Sequence, residues 1–266
     1  MYDKFDRKID YLRVSVTDRC NLRCRYCMPP EGIKILPQKE ILNFDEITGV
    51  VKSAVDKGIS KIRITGGEPL VRRDIVTLVK MISAIPGIKD LGVTTNGVLL
   101  GRFAPGLAEA GLMRVNVSLD TVDSLKYSEM TGGGDLSDVF RGIKAAVDNG
   151  LVPVKLNCVV KGSSKDPDAE GVARFARENG LEVRFIHQMD LESGEFSIVE
   201  GGEGGDCEIC NRLRLTANGM IKPCLFSDVQ FPVRELGTDE AIRQAVEHKP
   251  RCGSLNSQNS FYNIGG

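Results

Sequence analysis

The chain has 266 residues, of which 41% are hydrophobic, and a formal net charge of -1. This length and apolar content are enough for one α/β domain of barrel size with a small appendage. The near-neutral balance argues against a large basic surface for nucleic acid. The chain also lacks a long apolar run and an apolar leader, so we expect a cytoplasmic protein without a membrane partner.

Short β-branched runs alternate with amphipathic segments over residues 1–190, a pattern typical of repeated βα units and a parallel sheet. The pattern predicts strands near Leu12–Val16, Lys61–Thr65, Leu91–Thr94, Arg114–Ser118, Val154–Val160 and Glu182–Ile186. It predicts helices from the N-cap Asn43 to Gly58 and at about Arg73–Ile85, Ala104–Ala110, Leu136–Asn149 and Pro167–Asn179. Six such units indicate the α/β class and a partial (β/α)6 barrel.

The unusual sequence clusters follow the carboxyl ends of predicted strands. A cysteine triplet follows the first strand, and the later clusters are Gly66-Gly67-Glu68-Pro69, Thr94-Thr95-Asn96-Gly97, Ser118-Leu119-Asp120 and His187-Gln188-Met189. Parallel α/β sheets place their ligand sites at this rim, because the loops there can vary without disturbing the core. We therefore expect the active site at this end of the barrel.

Two cysteine triplets indicate iron–sulfur chemistry. They are Cys20, Cys24 and Cys27, and Cys207, Cys210 and Cys224. A cubane cluster normally takes four thiolates, so each triplet would leave one iron open to a bound molecule. Neither His187 nor His248 lies near the first triplet in sequence, which disfavours zinc there. For the second triplet, a zinc ribbon with Cys252 as fourth ligand stays an alternative.

The βα pattern stops after residue 190. The segment 191–206 is glycine-rich and acidic, which predicts a flexible linker to a small domain at 207–266. In that domain Asn218-Gly219 is a strong hairpin signal. A turn there would pair Leu213 with Cys224 and bring the last cysteine of the second triplet back to the other two.

Several basic residues lie within the predicted strands. They are Arg13, Lys61, Arg63, Lys155 and Arg184 in the barrel and Arg212 and Arg214 on the hairpin. A buried cation without a partner is strongly unfavourable, so each of these side chains needs an anion. Salt bridges with Glu68, Asp120 or Glu182 are one alternative. The pattern favours a pocket for a polyanion such as a nucleotide triphosphate, whose phosphates suit arginine forks.

Several motifs resemble those of the GTP 3′,8-cyclases, a radical S-adenosylmethionine (SAM) family of molybdenum-cofactor biosynthesis. They are LRVSVTDRCNLRCRYCMP, KIRITGGEPLVRRD, TTNG, NVSLD, CEICNRLRLTANGMIKPCLF and the final Gly265-Gly266. The resemblance implies two [4Fe-4S] clusters, with SAM as cofactor and GTP as substrate. It implies conversion of GTP to (8S)-3′,8-cyclo-7,8-dihydroguanosine 5′-triphosphate after a 5′-deoxyadenosyl radical takes hydrogen from ribose C3′.

The resemblance also implies roles for individual residues. The six triplet cysteines would bind the clusters, and SAM would contact Tyr26, Gly66, Gly67, Glu68, Ser118 and Met189. GTP would contact Arg13, Arg63, Thr94, Lys155, Arg212 and Arg214, and the argument from buried cations adds Lys61 and Arg184. The residues expected to act in catalysis are Arg13, Arg212, Arg214, Gly265 and Gly266.

The resemblance further implies an electron donor such as flavodoxin or ferredoxin, and a homodimer. Between Met189 and Cys207 the family usually carries a stretch several dozen residues longer, which the glycine-rich linker replaces here. One alternative is therefore another radical SAM enzyme, such as a dehydrogenase or a peptide-modifying enzyme with one auxiliary cluster. A second alternative is a non-catalytic iron–sulfur scaffold or electron carrier.

Overall fold

Nine strands form one sheet within the described parts of the chain, which are residues 1–28, 34–257 and 261–264 of this computed structural model. The strands are β1 (Tyr11–Ser15), β2 (Lys61–Thr65), β3 (Asp90–Thr95), β4 (Arg114–Ser118), β5 (Lys155–Val160), β6 (Glu182–His187), β7 (Arg212–Leu215), β8 (Met220–Lys222) and β9 (Phe231–Pro232). The sheet order is β6-β5-β4-β3-β2-β1-β7-β8-β9. All pairs from β6 to β7 are parallel, and the two pairs of the hairpin end are antiparallel.

Helices alternate with the first six strands, as the βα pattern predicts. They are α1 (Phe44–Asp56), α2 (Ile75–Ser83), α3 (Leu100–Glu109), α4 (Ser124–Thr131), α5 (Leu136–Asp148) and α6 (Pro167–Glu178), followed by α7 (Val233–Leu236), α8 (Thr238–Glu247) and α9 (Phe261–Ile264), and a 3₁₀ helix covers Pro69–Val71. Within the described residues, every helix is too short or too polar to cross a membrane.

The start of α1 shows how local sequence sets an element. Asn43 accepts a hydrogen bond from the Glu46 main-chain nitrogen at 2.9 Å, and the Glu46 carboxylate accepts one from the Asn43 nitrogen at 2.8 Å. This reciprocal cap confirms the predicted helix start. Gly58 follows the helix with a φ of 98°, a conformation that glycine adopts readily.

The predicted partial barrel is confirmed, and the alternation of side chains decides its two faces. In β1, Leu12 and Val14 are fully buried in the core between the sheet and the helices. Side chains of neighbouring positions point to opposite faces, so Tyr11 and Arg13 lie on the inner face of the curved sheet. The hydrophobic core thus lies on the outer, helix-covered face of the sheet and leaves the inner face for polar side chains.

The prediction missed four helices and placed the start of one incorrectly. The missed helices are α4, α7, α8 and α9, and α3 begins at Leu100 rather than at Ala104. The start of α4 carries a recognisable signal, because the Asp123 side chain accepts hydrogen bonds from the nitrogens of Leu125 at 2.9 Å and Lys126 at 3.0 Å.

The predicted pairing of Leu213 with Cys224 is wrong by one residue. The observed register pairs Arg214 with Lys222, because the hairpin loop has three residues, 217–219, rather than two. Thr216 closes this loop by donating its main-chain N–H to Met220 at 2.9 Å. Gly219 has the positive φ of 88° that such loops place at their last position.

The segment after β6 lies against the sheet. Phe185 and Glu200 exchange two main-chain hydrogen bonds, each of 3.0 Å, and Val199 donates to Gly204 at 2.7 Å. The segment predicted as a flexible linker thus borders the open edge at β6. The division of the chain at residues 190 and 206 stays a prediction, and β7 to β9 extend the same sheet as the barrel strands.

Candidate active site

A cavity of about 640 Å³ lies on the inner face of the sheet and reaches the loops after the strands. Both cysteine triplets line it, with Cys20, Cys24, Cys27, Cys207, Cys210 and Cys224 in its wall. The pairing of β7 with β1 brings them there, since it places the second triplet next to the strand that leads into the first. Segments almost two hundred residues apart in sequence therefore share one site.

Main-chain hydrogen bonds hold the loop of the first triplet. Gly67 donates to the Thr17 carbonyl and Glu68 donates to the Arg19 carbonyl, each at 2.8 Å. A Cβ atom on Gly66 would lie 2.6 Å from the Thr17 oxygen, and one on Gly67 would collide with the Arg19 oxygen. The two glycines are therefore required for the close approach of these loops, and both also line the cavity.

Glu68 lies behind the cavity wall instead of in it. Its carboxylate accepts hydrogen bonds from the Thr95 hydroxyl at 2.8 Å and the Asn96 main-chain nitrogen at 2.7 Å. Burial raises the pKa of Glu68 to about 7, although these hydrogen bonds act to lower it. Asn96 in turn donates to the Cys20 sulfur at 3.8 Å. In this structure Glu68 positions the rim loops, and the cavity-lining residues predicted to contact SAM are the other five.

The chemistry of the first triplet suits an iron–sulfur cluster. Burial raises the pKa of Cys24 to about 12 and that of Cys27 to about 11, and in each case Cys20 adds to the increase. Three thiols that oppose one another's ionisation need a cation to become thiolates, and a cluster supplies that charge. No group of three or more His, Cys, Asp and Glu side chains among the described residues is arranged to hold a single metal ion.

The strand register gathers the basic side chains into two adjacent rows. One row is Arg63, Arg13 and Arg214, and the other is Lys61, Tyr11 and Arg212, each on β2, β1 and β7. Positions two apart in a strand share a face, so all six side chains point into the cavity. The two rows make one positively charged wall between the triplets.

Arg63 shows how the barrel admits a buried guanidinium. Its side chain is 2% exposed, and it donates to the Asn116 amide oxygen at 3.2 Å and to the Tyr11 hydroxyl at 3.4 Å. The guanidinium lies over Gly92, where any Cβ atom would collide with it. The missing side chain at Gly92 therefore creates the space that Arg63 occupies.

Tyr11 is a site residue that the sequence analysis missed. Its ring lies 5.5 Å from the Arg212 guanidinium. Burial alone would raise its pKa, but Arg13, Arg63 and Arg212 lower it to about 8. Its period-two spacing from Arg13 was a signal that could have identified it.

The electrostatics of this wall favour an anion. Burial and the neighbours Arg13 and Arg212 lower the pKa of Arg214, and burial together with nearby arginines also lowers that of Arg184. The buried Arg184 Nε and Thr94 hydroxyl have no hydrogen-bond partner among the residues that the structure describes. Phosphate oxygens would accept hydrogen bonds from both groups. Their negative charge would also stabilise the charged form of the arginines, which burial and mutual repulsion disfavour.

The structure brings most, but not all, of the predicted residues together. Those that line the cavity besides the cysteines and the two rows are Tyr26, Gly66, Gly67, Thr94, Ser118, Arg184 and Met189. Lys155 is not in the wall, because its ammonium pairs with Glu182 across β5 and β6. Lys61 lines the cavity and also pairs with Asp10 at 3.4 Å. Gly265 and Gly266 lie outside the described residues.

A buried lysine that the sequence did not reveal supports the second triplet. Lys249 is 1% exposed, and its ammonium donates to the carbonyls of Pro223 at 2.7 Å and Arg212 at 2.8 Å and to the Cys210 sulfur at 3.4 Å. Burial would raise the pKa of Cys210, but the charges of Lys249 and Arg212 and the hydrogen bonds from both residues together lower it. This thiol is therefore prepared for metal binding.

Comparison with known proteins defines the class. Residues 14–176 match the radical SAM superfamily. The structure is similar to native anSMEcpe with bound AdoMet, with a TM-score of 0.64 and 15% identity over 91% of this chain and 81% of that one. It is also similar to Streptococcus suis SuiB bound to S-adenosylmethionine, with a TM-score of 0.56 and 20% identity over 75% and 44%. The chain is thus a radical SAM protein, a class that uses SAM and a [4Fe-4S] cluster.

More similar sequences identify the family. The GTP 3′,8-cyclase of Thermodesulfovibrio yellowstonii is 42% identical over an alignment of 296 positions, which covers 92% of each chain. That of Alkaliphilus oremlandii is 42% identical over 303 residues, with 96% of this chain and 95% of that one. The chain belongs to the GTP 3′,8-cyclase family. These alignments exceed its 266 residues, so the relatives contain several dozen positions without a counterpart here.

Proposed function

We propose that this enzyme converts GTP to (8S)-3′,8-cyclo-7,8-dihydroguanosine 5′-triphosphate in molybdenum-cofactor biosynthesis. The observation that carries the proposal is the single cavity that both cysteine triplets line, together with the two rows that hold five basic side chains and Tyr11. A single radical SAM cluster needs only the first triplet. The second triplet and the cationic wall therefore serve the substrate.

The first triplet holds the [4Fe-4S] cluster, and the neighbouring loops bind SAM. Gly66 and Gly67 bring main chain to this part of the cavity, and Ser118 and Met189 line it. When bound, the cluster and SAM supply a 5′-deoxyadenosyl radical. The chain holds this cofactor pair at the rim through the hydrogen bonds between the loops after β1 and β2.

The cationic wall binds the triphosphate. Arg13, Arg63 and Arg214 occupy adjacent positions on three strands, and their planar forks match phosphate oxygens. Thr94 and Arg184 add buried donors that lack other partners among the described residues. Because Arg63 is held by Asn116, the wall is already arranged before substrate binds.

The second triplet holds a second [4Fe-4S] cluster in this proposal. Cys207, Cys210 and Cys224 would hold this cluster, which would supply a binding point for the guanine edge, so the base and the triphosphate of one nucleotide would be fixed at separate points. Two-point binding would hold the ribose between these two points. Lys249 supports this arrangement by hydrogen bonding to Cys210.

The decisive experiment uses anaerobically reconstituted protein with SAM, dithionite and GTP deuterated at C3′. We expect 5′-deoxyadenosine that carries deuterium, together with a cyclised GTP product, both measured by mass spectrometry. ATP is the matched control, since it has the same triphosphate and a different base. If 5′-deoxyadenosine forms without label transfer and without a GTP product, another radical SAM reaction replaces the proposal.

The partners follow from the same chemistry. Cleavage of SAM consumes an electron, so we propose an external one-electron donor such as flavodoxin or ferredoxin. A homodimer stays a prediction. Sedimentation of the reconstituted protein over a range of concentrations would test it.

A further inference from the structure

Cys252 lies beside the second triplet but outside the cavity wall. Its sulfur is 2.8 Å from the Cys207 sulfur, and its side chain is exposed. Two thiolates on one tetrahedral zinc would stand about 3.8 Å apart, given zinc–sulfur bonds of about 2.3 Å. A disulfide needs about 2.05 Å. The observed sulfur–sulfur distance is therefore shorter than that between two ligands of one zinc ion and closer to the length of a disulfide bond.

A buried arginine holds the two cysteine segments together. Arg7 donates to the carbonyls of Cys207 at 2.7 Å, Arg251 at 2.8 Å and Pro250 at 2.7 Å. Its Nε also donates to the Asp3 carboxylate at 2.7 Å. One guanidinium thus fixes the main chain at Cys207 and directly before Cys252, so the fold builds the sulfur pair.

The residue after Cys252 also lies on the second triplet. A Cβ atom on Gly253 would lie 3.0 Å from the Cys224 sulfur and 2.6 Å from Phe226. Only glycine fits there, and Ser254 donates its N–H to the Phe226 carbonyl at 3.0 Å. The turn that carries Cys252 is therefore packed against the predicted cluster site.

We propose that Cys207 and Cys252 form a reversible disulfide in the cluster-free protein, and that this bond removes Cys207 from the second ligand set. Glutathione disulfide is a suitable oxidant. A thiolate of the pair attacks it and releases one glutathione, and the second thiol then displaces the other glutathione. Two protein thiols are oxidised and one glutathione disulfide is reduced to two thiols. Only the consequence for a second cluster rests on the proposed function.

The chain provides internal standards for this chemistry. Cys158 is fully buried in β5, away from the pair, and should stay reduced. Cys252 can be changed to serine without loss of buried contacts, because it is exposed. The Cys252→Ser variant keeps both triplets intact, so it separates the proposed bond from oxidation within either triplet.

The test begins with the cluster-free 266-residue chain in anaerobic glutathione buffers of increasing oxidised fraction. After alkylation and trypsin digestion, we expect peptides 185–212 and 252–266 to be joined by a disulfide. Fragment spectra distinguish Cys207 from Cys210 within the first peptide. The joined peptide should be absent from Cys252→Ser and should disappear with dithiothreitol.

The second measurement is iron uptake after oxidation. We expect the oxidised chain to bind about four fewer iron atoms than the reduced chain, and Cys252→Ser to show no such deficit. If Cys252 is not joined to Cys207 when glutathione disulfide oxidises other thiols, the inference is overturned. If the reduced chain binds only one cluster, the proposed second cluster fails, while the joined peptides still decide the disulfide.

Discussion

Main-chain hydrogen bonds hold the loop of the first cysteine triplet, whereas buried cations hold the loop of the second. The first loop continues the pairing of β1 and β2 through Gly67 and Glu68. The second depends on Arg7 and Lys249, which reach it from distant parts of the chain. Backbone pairing constrains the side chain only where the loops approach most closely, at Gly66 and Gly67, whereas a buried cation cannot be replaced by an apolar group without leaving its acceptors unpaired.

Removing one cysteine from each triplet is the strongest test of whether the two triplets have separate roles. We expect Cys24→Ala to lower 5′-deoxyadenosine formation by more than about 100-fold, beyond the range typical of residues outside the ligand set. Cys210→Ala should retain SAM cleavage and lose the GTP product. Chromatography of both products measures the two effects.

Cys158→Ser is the control for loss of a thiol, since Cys158 is buried in β5 and lies outside both triplets. Equal loss of SAM cleavage in Cys24→Ala and Cys210→Ala would mean that the two sites do not act separately.

The second prediction concerns the cation that supports the second triplet. Lys249→Met leaves the carbonyls of Arg212 and Pro223 without their donor, so the free energy of unfolding should fall by about 2–4 kcal/mol. Urea unfolding of the cluster-free protein measures this change. Lys52→Met is the matched control, because Lys52 forms only an exposed pair with Asp56 and should change stability by less than about 0.5 kcal/mol. Similar results for the two variants would contradict the proposed support.

A third prediction concerns the cationic wall between the triplets. Gly92→Ala should displace the Arg63 guanidinium and weaken GTP binding by about tenfold or more, because a buried phosphate contact is lost. Equilibrium binding of GTP measures the effect. Gly49→Ala in the exposed face of α1 meets open space and should stabilise the protein by up to about 1 kcal/mol. Unchanged GTP affinity in Gly92→Ala would show that Arg63 does not bind the substrate.

The smallest expected effect is the pH dependence of the Arg7 clamp. Burial would raise the pKa of Asp3, but hydrogen bonds from Arg7 and Phe5 lower it below its usual 3.8. A lowered carboxyl pKa contributes stability above about pH 4, and this contribution is lost as the pH falls through the folded-state pKa. Asp3→Asn should therefore cost about 1 kcal/mol at neutral pH and less in acid.

Urea unfolding of the cluster-free chain between pH 3 and pH 7 provides this measurement, with Asp56→Asn as an exposed control. A stability difference for Asp3→Asn that grows on acidification would have the wrong sign and would contradict the clamp.

The predictions from sequence succeeded where the signal was local. The cap at Asn43 and the βα alternation identified α1 and the first six strands, because each depends on residues a few positions apart. The prediction of the hairpin register failed because a three-residue loop and a two-residue loop share the same Asn218-Gly219 signal. Lys155 was expected in the site, but its partner Glu182 is set by the register of β5 and β6.

By itself, the sequence determined the chemistry available to this protein: thiols at cluster spacing, glycines at a strand end and cations within strands. Only the tertiary structure decided which of these groups meet. The parallel pairing of β7 with β1 puts Arg214 beside Arg13. The fold also places the buried ammonium group of Lys249 against the Cys210 sulfur. The reason is physical, since residue type and spacing set local bonding, whereas the electrostatic neighbours of a buried group depend on contacts between distant segments of the chain.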